Sequence, residues 1–137
     1  MYRELEQVFR LDTYEQGFIL GSKECLNSID CCKLIPACQS GEYFYVPDDL
    51  FADLSIREWA DEGTCLSGFI HSHTKGQTDF SEDDILFANQ LLSSYRIPYL
   101  WFGLASVTPE KEVEMRFYQI LKKDAQFVLN PVAVQIV

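Results

Sequence analysis

Two helical patterns enclose one apolar run that is too short to be a helix, and this arrangement limits the folds open to the chain. From Pro47, the residues Asp48, Asp49, Leu50, Phe51, Leu54, Ile56 and Trp59 alternate as an amphipathic helix does, with acids in the first turn and Gly63 after the last. Ser81 to Ser94 carries Ile85, Phe87, Ala88, Leu91 and Leu92 on one broad face, and Ser81 is a ready N-cap. Between them, Cys65 to Ile70 reads as a buried strand that runs straight into His71-Ser72-His73. A strand flanked by helices on this scale calls for a sheet with helices packed on its faces.

The rest of the chain supplies the other strands. Gly17 to Gly21 is a short apolar run bounded by glycines, and Cys32 to Ala37 and Tyr43 to Val46 are strand-like around the turn residues Ser40-Gly41. Pro98 to Ser106 and Val113 to Leu121, separated by Thr108-Pro109-Glu110, predict a hairpin or two neighbouring strands, and Gln126 to Val137 is strand-like again. Leu5, Val8 and Phe9 give Tyr2 to Arg10 a helical spacing. With 137 residues and no repeat or linker, the expected architecture is one mixed α/β (α+β) domain over 1–137: three layers, a mixed β-sheet flanked by helices. A barrel of eight β/α units needs about 250 residues and is excluded.

Charge narrows the partners. Eleven Lys+Arg against 21 Asp+Glu give a formal net charge of -10, a surface that repels phosphate backbones and anionic lipid, so neither nucleic acid nor a membrane is an expected partner. No stretch reads as a leader or a membrane span, which makes the cytoplasm the expected location. The five cysteines (25, 31, 32, 38 and 65) are odd in number and include an adjacent pair, a poor disulfide framework; reduced thiols are expected. Their spacing also lacks the two-residue separation of a zinc knuckle.

The chemistry gathers at the two histidines. His71 and His73, the only two in the chain, are two residues apart on a strand end, so both imidazoles face the same way. Asp84 opens the next helix one turn before Ala88, on the buried side, and a loop from Thr74 to Phe80 is long enough to fold it back over the strand end. Asp83 lies on a flanking face and is the weaker candidate. Two imidazoles and a carboxylate leave a tetrahedral metal one open position, the arrangement of a catalytic zinc site. An ordinary explanation exists for part of this pattern, because Ser81-x-x-Asp84 is close to a capping box. Trp59, Trp101 and Phe102 read as core.

The pattern His71-x-His73-x7-Ser81-x2-Asp84 matches the JAMM motif of the JAB/MPN domain metallopeptidases position for position, and the surrounding order of elements, roughly Leu5 to Leu121, resembles that family. The resemblance implies a JAB/MPN-like (cytidine-deaminase-like) fold, a zinc ion held by His71, His73 and Asp84, and Ser81 hydrogen-bonding near the bound water. It further implies hydrolysis of a peptide or isopeptide bond, with a peptide or the tail of a ubiquitin-like or sulfur-carrier-like protein as substrate. The family also contains non-catalytic scaffold or protein-interaction domains, and a non-haem iron oxygenase uses the same ligand types.

Two positions depart from the pattern. The family's glutamate usually stands where this chain has Tyr14, and Thr74 replaces a common proline. Glu15, one position late, is the expected proton shuttle, and a bulge or turn before Gly17 is expected to bring its side chain round to the metal side.

Overall fold

A computed structural model gives the fold and describes the chain apart from residues 1, 12–14, 24–27, 41–44, 74–79, 109, 111, 124–125 and 134–137. Helix α1 (Tyr2–Leu11) precedes β1 (Gly17–Lys23) and β2 (Cys31–Ile35). Strands β3 (Ala37–Ser40) and β4 (Tyr45–Pro47) follow, then helix α2 (Asp49–Asp61). Next come β5 (Thr64–His73), α3 (Glu82–Tyr95) and β6 (Tyr99–Val107). Strands β7 (Val113–Lys123) and β8 (Gln126–Val132) complete the order. Six strands form one sheet in the order β2-β1-β5-β6-β7-β8, parallel only at β5/β6 and antiparallel elsewhere, and β3 and β4 form a separate pair.

The sheet is mixed because α3 connects β5 to β6 and so carries the chain back to start a parallel neighbour. Outside this pair, β1–β2, β6–β7 and β7–β8 join strands consecutive in the chain, whereas β1 meets β5 across β2, β3, β4 and α2. Alternation along the strands divides the core in two. Ile19, Phe69, Leu100, Phe102 and Ile120 meet Ala52 and Ile56 of α2 and Ala88, Leu91 and Leu92 of α3. Phe18, Leu20, Ile70, Ala105 and Phe117 meet Leu5 and Phe9 of α1 on the opposite face. The expected three layers are therefore α1, the sheet, and the α2/α3 layer. Tyr95 ties the two helices of the last layer by donating its hydroxyl to Asp53 at 2.6 Å.

Two local details differ from the sequence reading. Cys32 to Ala37 was expected as one strand, but the pairing breaks at Pro36, which lacks an N–H for the ladder, and the chain leaves the large sheet there to start β3. Pro47 does not open α2: it ends β4, and Asp48 is the N-cap, accepting the Phe51 N–H at 3.0 Å. Of the strand expected over Tyr43 to Val46, Tyr43 and Phe44 lie outside the described residues.

The parallel pair is close because Gly68 has no side chain where the Trp101 backbone passes. A Cβ there would collide with the Trp101 carbonyl, a backbone group that cannot rotate aside. Gly68→Ala is expected to cost about 3 kcal/mol or more by overpacking, and thermal denaturation should show a fall in Tm of roughly 10 °C. An unchanged Tm would mean that β5 and β6 are not packed at this distance.

Candidate metal centre

Strand β5 sends Phe69, His71 and His73 to the α3 side of the sheet, and both histidines are buried, at 2% and 3% exposure. Asp84 occupies the first turn of α3, where the positive end of the helix dipole favours a carboxylate. The parallel crossover sets the start of α3 against the carboxyl end of β5, the place where open sheets of parallel strands gather ligands. His71 Nε2 lies 2.8 Å from Asp84 Oδ1, and His73 Nε2 lies 3.1 Å from Oδ2. The two imidazole centroids are 4.6 Å apart and the rings nearly perpendicular, at 82°. Phe69 and Phe102 stand 5.9 Å and 6.0 Å from the His71 ring, and Phe80 packs on Phe102 at 5.0 Å, so one wall of the site is apolar.

Ser81 is exposed and caps α3 reciprocally with Asp84. Its Oγ accepts the Asp84 N–H at 3.2 Å, and its own N–H donates to Asp84 Oδ2 at 2.7 Å. The capping box weighed from sequence is thus present, and it also holds the carboxylate that faces the histidines. Asp83 is exposed.

Glu15 is buried at 4% exposure and joins the histidines: one carboxylate oxygen and the two ring nitrogens lie within 4.8 Å of one another. The bulge expected before Gly17 is not needed. Gly17 pairs with His71 and so shares its side of the sheet, and two residues earlier the same alternation brings Glu15 opposite His73. The irregularity in β1 falls later, between Leu20 and Gly21. Tyr14 and Thr74, the two departures from the family pattern, lie outside the described residues.

The electrostatics of the cluster pull in opposite directions. Burial pushes the Glu15 carboxyl up to about 7, against the attraction of His73 and with the repulsion of Asp84. Burial would raise Asp84 too, but the hydrogen bonds from His71 and His73, the His71 charge and the Ser81 N–H hold it well below the usual carboxylate range. Burial disfavours the charged His73, yet the hydrogen bond and charge of Asp84 and the charge of Glu15 raise it overall.

A pH dependence follows for metal-free protein. Raised folded values make Glu15 and His73 contribute stability that is lost as pH climbs, from about 4.5 through 7 for Glu15 and above 6.5 for His73. Depressed Asp84 contributes stability that is lost as pH falls below 3.8. In chelator, Tm is expected to be higher near about pH 5 than near about pH 8, and Glu15→Gln should shrink that difference. A higher Tm at the alkaline pH, or an unchanged difference in the variant, would contradict these environments.

The donor set fits a borderline divalent ion. Two imidazole nitrogens and an Asp carboxylate converge, and Glu15 Oε1 is buried without a hydrogen-bond partner among the described residues. A buried acceptor left without a donor is costly unless something cationic or protic meets it. The nitrogen and oxygen donors suit zinc in a site with an open position. Among the described residues no cysteine belongs to this group. Cys32 packs in the α1-side core, Cys31 carries a free thiol, and Cys65 is disulfide-bonded, which corrects the expectation of reduced thiols at that position.

Residues 5–121 match the family described as prokaryotic homologs of the JAB domain, and the chain belongs to that family. Its JAB/MPN-type fold, a mixed six-stranded sheet with three helices, agrees with that membership. Among solved structures it is similar to that of protein DSY2949 from Desulfitobacterium hafniense, with a TM-score of 0.65 at 14% identity, over 98% of this chain and 88% of that one. No curated protein matches the chain. No helix among the described residues is long and apolar enough to cross a membrane.

Proposed function

We propose that the protein is a zinc-dependent metallopeptidase that hydrolyses a peptide or isopeptide bond, acting on a peptide or on the flexible C-terminal tail of a ubiquitin-like or sulfur-carrier-like protein. The observation that carries this reading is the meeting of His71, His73 and Asp84 on one side of the sheet, with the buried carboxylate of Glu15 beside them. His71, His73 and Asp84 would hold the ion. Bound there, zinc supplies a Lewis acid that polarises a carbonyl and makes water acidic enough to yield hydroxide near neutral pH.

The chain's own residues supply the rest. Glu15, a buried carboxylate beside the two ring nitrogens, is suited to take a proton from water and pass it to the leaving amine. Ser81 fixes the Asp84 carboxylate through its backbone N–H, and its hydroxyl, already accepting the Asp84 N–H, keeps its proton to donate towards the oxygen that becomes negative. The aromatic wall of Phe69, Phe80 and Phe102 limits water on one side, which strengthens the electrostatic interactions inside.

The test is cleavage of substrates in which a reporter amine is joined by an amide to such a tail. Turnover that stops in chelator and returns with zinc is expected. Stoichiometric zinc without cleavage of any tail-bearing substrate would overturn the enzymatic reading in favour of a scaffold, and iron in anaerobically purified protein would overturn the choice of metal.

A further inference from the structure

Resting on the functional reading above, we propose that Ser72, the residue between the two histidines, is a positioning residue that aims Glu15 by tethering the backbone of Gln16. Ser72 is buried at 4% exposure. Its N–H donates to the Gln16 carbonyl at 2.9 Å, and its Oγ accepts the Gln16 N–H at 2.9 Å. Facing residues in a regular antiparallel ladder exchange two backbone bonds. At this pair the serine hydroxyl takes the return bond, just where β1 begins at Gly17.

Geometry gives the tether its consequence. Alternation turns Ser72 to the α1 side of the sheet, while His71, His73 and Glu15 face α3, so the hydroxyl acts through the neighbouring backbone and not on the ligands. Glu15 Oε1 has no hydrogen-bond partner among the described residues to hold it. Its direction therefore depends on where the Glu15–Gln16 peptide is fixed, and Ser72 fixes it at two points. A proton shuttle displaced by about 1 Å can lose much of its effect.

The experiment compares Ser72→Ala, Ser72→Thr, Glu15→Gln and the double variant E15Q/S72A in the zinc-loaded full chain. Ser72→Ala is expected to keep its zinc, to speed amide exchange at Gln16 about tenfold for the loss of one hydrogen bond, and to lower kcat about tenfold with KM little changed. Ser72→Thr, which retains the hydroxyl, should restore both. In the Glu15→Gln background Ser72→Ala should lower kcat no further, because the group it aims is gone. An equal further loss in that background would overturn the proposal, as would Gln16 exchange unchanged in Ser72→Ala. Should the alanine variant not fold, Ser72→Cys keeps a side chain of similar shape with a poorer acceptor and should show the same exchange and coupling. If the wild type proves inert, the functional reading fails separately; the tether is then decided by a crystal structure of Ser72→Ala, where a Glu15 carboxylate still beside His73 would refute it.

Discussion

His73→Ala is expected to abolish metal binding and, with it, all hydrolysis. The ring it removes is buried at 3% exposure and supplies one of two imidazole nitrogens in contact with the Asp84 carboxylate. Alanine leaves one imidazole and a carboxylate, too few protein ligands for a catalytic zinc site, which ordinarily has three. The fold should persist in chelator, since the lost ring lies at the end of β5 while the main clusters lie along the strands behind it. Zinc content after dialysis, measured beside the circular dichroism spectrum, separates the two effects. A folded His73→Ala protein with wild-type zinc would show that the ion is held elsewhere.

Glu15→Gln should behave in the opposite sense, keeping zinc and losing at least about a hundredfold in rate, as expected for a lost proton shuttle. The amide has nearly the shape of the carboxyl but cannot accept a proton at neutral pH. Because burial already holds Glu15 near about 7, its neutral form is not foreign to the site, and the uncharged glutamine should not destabilise the metal-free protein at alkaline pH. Turnover with kcat unchanged would move the shuttle to another residue. Loss of zinc in this variant would instead make Glu15 a ligand, a role its position within 4.8 Å of both ring nitrogens makes geometrically accessible.

These expectations draw on features that differ in how readable they were from the chain. That His71 and His73 face one way follows from the two-residue repeat of a strand, and that Asp84 turns inward follows from its spacing to Ala88 and Leu91 on a helix. Both are local properties, and the fold brings the three groups together. Glu15 was harder, because the side of the sheet it faces depends on its register with β5, and register is a property of two distant segments. Glu15 stands one residue after the position where the family pattern has its glutamate, and the pairing of Gly17 with His71 puts it on the histidine side of the sheet.

The same limit hid Ser72. On its own it is a serine within a strand, and only the partner strand reveals that its hydroxyl completes the pairing to Gln16. Pro36 is the reverse case, legible in the sequence: a proline within an apolar run ends ladder pairing, and the chain changes sheets there. The disulfide at Cys65 had no sequence signal, since an odd count with an adjacent pair argues only against a full framework.

Zinc K-edge absorption on the purified, dialysed protein tests the metal centre most directly. One zinc per chain is expected, with imidazole nitrogens at about 2.0–2.1 Å, carboxylate oxygen at a similar distance and no sulfur near about 2.3 Å. A protein that retains no zinc when supplied with it, or a spectrum dominated by sulfur, would contradict the assignment of His71, His73 and Asp84 as the ligands.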